Sequence, residues 1–186
     1  MDVFADSDWA GCKCTRKSTS GGIICWSSAA LKSWSGAQAS VALSSGEAEF
    51  YSAIRGGAEA MGVKSLLQDL GIHVTIKLHV DSSSAKSIMS RFGVGRVRHL
   101  ETRLLWIQQL VRDGTIRVKW IKGVDNPADV LTKPKCWTDV SRLTVVVGLR
   151  FDVRQMTTSR GGVGFGLHKQ HVINPIKPEP ARQPFI

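Results

Sequence analysis

The sequence predicts an α/β domain built on a mixed five-stranded sheet flanked by helices. Three short β-type runs come first, within residues 3–35, with no helical pattern between them, so they form an antiparallel meander. Two further β-type runs, 76–80 and 117–121, each follow a helical pattern, as in crossover units that join parallel strands. The chain of 186 residues, 42% hydrophobic and 22% charged, has room for one such domain plus a tail.

The first strand covers residues 3–6. The chain opens only just before it, so this strand is expected to be short, as in a decayed fragment. Residues 7–20 are polar and turn-rich. Strands at 22–27 and 31–35 follow, joined by 28–30. Ser44 with Glu47 three residues later makes a capping box, which starts a helix. Phe50, Ala53, Ile54, Gly57, Ala58 and Met61 recur at helical spacing and give it one apolar face. Gly56 and Gly57 weaken it locally, and a second helical stretch runs to Leu70, stopped by Gly71.

Residues 76–80 alternate as a strand, 82–90 are helical, and 91–98 form a Gly- and Arg-rich loop. An amphipathic helix is expected over 99–112, with Leu100, Leu104, Ile107, Gln108 and Val111 in one stripe. Asp113–Gly114 turns the chain into the strand at 117–121. Asn126 as cap and Pro127 at the first helical position begin a last helix. The domain therefore spans 1–135. From Cys136 the character changes: 141–151 could make one strand without a partner, and 157–186 are rich in Gly and then Pro. Residues 136–186 are expected to be a largely disordered tail.

The formal charge of +10, from 25 Lys and Arg against 15 Asp and Glu, favours a polyanionic partner. Cys12, Cys14, Cys25 and Cys136 fit no zinc spacing and are expected as free thiols. No apolar run approaches membrane-spanning length and no secretory signal is visible, so an intracellular protein, cytoplasmic or nuclear, is expected. Trp9, Trp26, Trp34, Trp106 and Trp120 occupy apolar positions of the pattern and are expected in the core. Arg91, Arg96 and Arg98 either track a phosphate backbone or form a solvated loop.

Four acids stand at junctions of this pattern. Asp6 ends the first strand, Glu49 lies in the first turns of the long helix, Asp81 ends the fourth strand, and Asp129 begins the last helix. Each taken singly serves equally as a helix cap or a turn residue. Brought together, they would repel unless they shared a proton or held cations, and Mg²⁺ is the hard, oxygen-seeking cation that suits them.

Five blocks carry a resemblance. They are Ala5-Asp6-Ser7-Asp8-Trp9-Ala10-Gly11 with Arg16-Lys17-Ser18-Thr19-Ser20-Gly21; Leu43-Ser44-Ser45-Gly46-Glu47-Ala48-Glu49-Phe50-Tyr51; Val80-Asp81-Ser82; Arg98-His99-Leu100-Glu101; and Asn126-Pro127-Ala128-Asp129-Val130-Leu131-Thr132-Lys133-Pro134. In this order, over about residues 3–135, the chain resembles the ribonuclease H domain of copia-type LTR retrotransposon Pol polyproteins.

The resemblance implies the ribonuclease H fold and hydrolysis of the RNA strand of RNA–DNA hybrids. It implies two Mg²⁺ ions, for which Mn²⁺ substitutes, held by Asp6, Glu49, Asp81 and Asp129 as metal ligands and catalytic residues. Asp8 competes with Asp6, and Glu47 with Glu49. Glu49 is preferred because a large apolar residue and then small ones follow it, while Glu47 serves the cap of Ser44. The implied partners are the hybrid and the reverse transcriptase portion of the parent polyprotein. The mobile His that cellular members often carry before the last acid is missing from residues 119–125. A degenerate, inactive element fragment and a nucleic-acid-binding module without activity remain the alternatives.

Overall fold

Why Asp6 ends up buried is answered by the strand that carries it. In the computed structural model, which describes residues 1–93 and 105–149, β1 (Asp2–Asp8) is the middle strand of five. β2 (Thr19–Trp26) pairs antiparallel with β1 along its whole length, from Asp2 opposite Cys25 to Asp8 opposite Thr19. β3 (Ala29–Ala37) extends the meander. β4 (Ile76–Val80) lies parallel on the other side of β1, and β5 (Ile116–Trp120) lies parallel to β4. The order β3-β2-β1-β4-β5 is the mixed five-stranded sheet that the sequence predicts.

The first strand is not short. It has seven residues, and the Met1 ammonium donates to Thr75 O at 3.0 Å while Lys77 N donates to Met1 O at 2.9 Å. Full pairing with β2 extends it beyond what its four most apolar-patterned residues indicate.

Side chains alternate across the sheet. Val3 and Ala5 belong to the larger core, with Phe50, Ala53, Leu78, Ile107 and Ile116. Phe4 belongs to a smaller core on the opposite face, with Ile23, Cys25, Ala128 and Val147. The strand is thus covered on both sides. Adjacent glycines of β2 serve the two faces. A Cβ on Gly22 would stand 2.0 Å from the Trp34 ring, and one on Gly21 would stand 2.8 Å from Thr132 Cγ2.

The larger core is roofed by helices. α1 (Ser45–Asp69) is one continuous helix of 25 residues rather than two stretches. Gly56 and Gly57 do not break it, because both are buried in close contact with Leu78, Val3, Ala5 and Ile107. Ser44 Oγ accepts from Glu47 N at 3.2 Å, and the Glu47 carboxylate accepts from Leu43 N at 2.8 Å. α2 (Ser83–Ser90) starts at the cap Ser82, and α3 (Trp106–Arg112) buries Ile107 and Gln108. The start of the expected 99–112 helix and most of the basic loop lie outside the described residues.

The smaller face is closed differently from expectation. The segment from Asn126 is a short 3₁₀ turn, Pro127–Leu131, not an α-helix. Pro134 disfavours helical backbone at Lys133, so the turn cannot propagate. Residues 141–149 are not a strand, and the packed chain does not stop at Cys136. Trp137–Val146 forms α4, with Leu143, Thr144 and Val147 buried at helical spacing and Ala30 N donating to Val147 O at 3.0 Å. Four of the five tryptophans expected in the core are not fully buried. Trp34 is, Trp106 is half-buried, and Trp9, Trp26 and Trp120 stand at or near the surface. The four cysteines are free, with only Cys25 buried.

Docking of α4 has a measurable consequence. Leu143→Ala is expected to cost about 2–4 kcal/mol of stability, as for other buried Leu truncations. Urea denaturation would show a lowered midpoint with an unchanged slope; an unaltered midpoint would mean that α4 does not hold the smaller face closed.

Candidate metal centre

Asp6, at the carboxyl end of β1, is fully buried. Its side chain lies on the Phe4 face, beside the 3₁₀ turn, where Thr132 Oγ1 hydrogen-bonds to Oδ2. Glu49 approaches from α1 on the opposite face. Ser7 fixes it twice, through its N at 3.1 Å and its Oγ at 2.9 Å, both donating to Glu49 Oε1. Asp81 follows directly on β4, and its carbonyl accepts from the Trp120 indole at 3.0 Å. Asp6, Glu49 and Asp81 each bring a carboxylate oxygen within 4.8 Å of the others.

Asp129 stands apart from that trio and is joined to it by a cation. Lys133 Nζ is 2.7 Å from Asp129 Oδ1 and 3.6 Å from Asp6 Oδ2. Lys135 takes the other oxygen, Asp129 Oδ2. Asn126 sets the whole turn: its Nδ2 donates to Ala5 O at 2.9 Å, and its Oδ1 accepts from Ala128 N at 3.2 Å. A buried side chain of β1's neighbour thus locks the fourth acid to the strand that carries the first.

The rival acids lie elsewhere. Asp8 Oδ1 accepts from Thr19 N and ties β1 to the start of β2. Glu47 accepts from Leu43 N and from the Tyr51 hydroxyl at 2.6 Å, at the head of α1. Arg96, Arg98 and His99 fall outside the described residues. Gln108, on α3, holds the chain just before them, donating to Gly93 O and accepting from Gly93 N, both at 3.0 Å. The sequence assigns Asn126 its cap but not its bond to Ala5, and gives Ser7, Thr132, Lys133 and Lys135 no role at the site. Lys133 had a visible signal, since a Lys four residues after Asp129 shares its side of a helical turn.

Electrostatics mark the trio as desolvated. Burial, followed by the nearby Asp6 and Asp81 charges, pushes Glu49 up to about 8. Burial pushes Asp6 up to about 6, against the pull of Thr132 and Lys133. Asp81 is raised as well, chiefly by burial. Asp129 differs: burial pushes it up, but hydrogen bonds from Lys133 and Lys135 outweigh this and hold it below its usual range. Among the described residues, Asp6 Oδ1 and Glu49 Oε2 are buried without a hydrogen-bond partner. Two orphaned carboxylate oxygens within one cluster of hard oxygen donors suit a divalent cation such as Mg²⁺.

Comparisons with known proteins bear on the relatives of the chain and on its fold. No protein-family model matches the chain. The retrovirus-related Pol polyprotein from transposon TNT 1-94 of Nicotiana tabacum is 36% identical over 132 residues, covering 70% of this chain and 10% of the relative. Those from transposons RE1 and RE2 of Arabidopsis thaliana are each 30% identical, over 80% and 72% of this chain and 10% and 9% of their own length. The chain therefore spans about a tenth of the length of these relatives. Among solved structures, the N-terminal RNase H domain of a Mycobacterium tuberculosis protein superposes with a TM-score of 0.50 at 17% identity, covering 79% of this chain and 95% of that one. An RNase H1 solved in complex with an RNA/DNA hybrid gives a TM-score of 0.50 at 14% identity, covering 70% and 92%. These likenesses identify the fold as the ribonuclease H fold.

The buried acids make metal-free stability depend on pH. Glu49 and Asp6 are raised from 4.5 and 3.8 to about 8 and about 6 in the folded chain, so folding favours their protonated forms. That contribution is complete below about pH 4 and is lost as pH rises through 6 and 8, by up to about 1.4 kcal/mol per pH unit for each proton. In chelator, the melting temperature is expected to fall between pH 5 and pH 8, and Glu49→Gln to flatten the upper part of the decline. A profile that is level or rising over this range would contradict the burial of these acids.

Proposed function

This chain is a ribonuclease H-type domain related to one segment of the retrovirus-related Pol polyproteins of plant transposons, and from that premise we propose that it hydrolyses the RNA strand of RNA–DNA hybrids. The observation that carries the reading is the group formed by Asp6, Glu49 and Asp81 at the carboxyl ends of neighbouring parallel strands, with two buried oxygens lacking partners. Ligands of α/β sheets gather at such strand ends.

In this reading Asp6, Glu49, Asp81 and Asp129 hold two divalent ions, Mg²⁺ or in its place Mn²⁺. When bound, such ions supply water activation and charge stabilisation at the leaving oxygen of a phosphodiester. The chain's own residues do the rest. Ser7 fixes one oxygen of Glu49, which leaves the other turned to the cluster. Thr132 does the same for Asp6. The Trp120 indole steadies the backbone of Asp81, and Asn126 steadies the turn of Asp129. Burial of the carboxylates excludes water from their inner oxygens and strengthens their hold on a cation.

Selectivity for RNA in a hybrid would come from the 2′-hydroxyl and groove shape, because a two-metal site attacks any phosphodiester placed correctly. The net charge of +10 supports a polyanionic substrate. In the parent polyprotein the domain would work beside reverse transcriptase and remove RNA after it has been copied. Among the described residues no helix is long and apolar enough to cross a membrane.

The test is cleavage of a labelled hybrid by the purified chain in Mg²⁺. Cutting of the hybrid RNA strand is expected, with little on single-stranded RNA and none on duplex DNA. Asp81→Asn should slow cutting on the order of 100-fold or more, as loss of a charge-stabilising group does. It should leave hybrid binding in place, weakening as salt rises. Folded wild-type chain that binds hybrid and never cuts it in Mg²⁺ or Mn²⁺ would establish the binding-module reading instead.

A further inference from the structure

Thr132 and Lys133, within the block from Asn126 to Pro134, and Lys135 just after it make contacts at the cluster that the four acids alone do not account for. Resting on the reading of the cluster as a metal centre, we infer that Lys133 is its resident counter-ion: the ammonium keeps the place of one divalent ion, so that the centre fills in two steps. The first ion goes to Asp6, Glu49 and Asp81. The second reaches Asp129 only when Lys133 leaves.

The two sides of the cluster are unlike. On one side, Asp6 Oδ1 and Glu49 Oε2 are buried and have no partner. On the other, every oxygen is taken. Asp6 Oδ2 accepts from Thr132 Oγ1 and lies 3.6 Å from Lys133 Nζ. Asp129 Oδ1 lies 2.7 Å from the same ammonium, and Asp129 Oδ2 is held by Lys135. Lys133 thus bridges the carboxylate of the fourth acid to that of the first, whereas Thr132 Oγ1 reaches only the backbone carbonyl of Asp129.

Charge balance gives the same order. Counted with all four carboxylates ionised, as ligands of a bound cation are, the acids and the two ammoniums leave two negative charges, which one divalent ion neutralises. A second ion meets a site whose charge the lysines already supply, and it must displace them. The chain allows this. The Lys133 side chain is 44% exposed on a flexible four-carbon stem, while its backbone N stays hydrogen-bonded to Asp129 O at 3.3 Å. The side chain can swing to solvent without moving the turn. Lys135, 27% exposed, holds Asp129 from one oxygen only and does not contact Asp6.

The test uses the full chain without nucleic acid, as wild type, Lys133→Gln and Lys133→Arg. Mn²⁺ binding is followed by electron paramagnetic resonance of the free ion, and melting is followed in chelator and in saturating Mn²⁺. Wild type should bind two ions, the second at least tenfold more weakly. Lys133→Gln should tighten the second step tenfold or more and leave the first near wild type. It should also melt below wild type in chelator and regain the wild-type melting temperature in Mn²⁺, whereas Lys133→Arg keeps the two-step pattern. A Lys133→Gln chain that is unfolded in chelator and folded by Mn²⁺ supports the same competition. One that is unfolded in both, or that has unchanged affinities, overturns it, as does wild type with two equal sites. Wild type that folds and binds no ion overturns the metal-centre reading itself, and the counter-ion role with it.

Discussion

Crowding carboxylates at one poorly solvated point, with Asp6 fully buried, is the constraint around which this domain is arranged. β1 is covered on both faces, so Asp6 at its end loses its solvent, and Glu49 and Asp81 converge on the same spot from α1 and β4. Like charges in a poorly solvated space cannot all persist. The chain meets this in three ways: a proton retained on Glu49, hydroxyl donors from Ser7 and Thr132, and ammonium groups from Lys133 and Lys135. Each removes repulsion at a different atom, which leaves two specific oxygens open rather than a diffuse negative patch.

The two faces of the sheet contribute unequally. The larger core, under α1, α2 and α3, holds most of the buried apolar side chains and gives β1 and β4 a rigid setting. The smaller core is closed only by the 3₁₀ turn and α4, yet it delivers Asp129, Thr132 and both lysines. Asn126 links the two halves by donating to Ala5 O, on the strand residue just before Asp6. The acid cluster is thus assembled from a well-packed layer and a thin one, and both ammonium groups come from the thin one. Groups that must move to admit a cation are best drawn from the less densely buried side.

Fold and site support different statements. Likeness to solved ribonuclease H domains at under a fifth identity establishes the scaffold, and a scaffold of this kind hosts more than one chemistry. The proposed hydrolysis rests on donor type, burial and placement: hard oxygens, two of them unpartnered, at parallel strand ends in a strongly basic chain. The relatives, matched over about a tenth of their length, supply the polyprotein setting in which such a domain would act.

The sequence alone determined the mixed five-stranded sheet and the succession of strands and helices along the chain, because alternation over 76–80 and helical spacing after Ser44 are local periodicities that burial on one face imposes directly. It also singled out Asp6, Glu49, Asp81 and Asp129 as acids at element junctions, and separated Glu49 from Glu47 by the capping pattern of Ser44. Only the tertiary structure decided what surrounds them. That Asn126 reaches Ala5, that Thr132 reaches Asp6, and that α4 rather than a tail closes the smaller face all depend on contacts between residues more than a hundred positions apart or on opposite faces of the sheet. Such contacts leave no periodic trace, because a single hydrogen bond constrains one residue and not a repeat. The exposed Trp120 was illegible for the same reason: its surroundings are set by how β5 sits at the edge of the sheet, which is not written in any short stretch of residues.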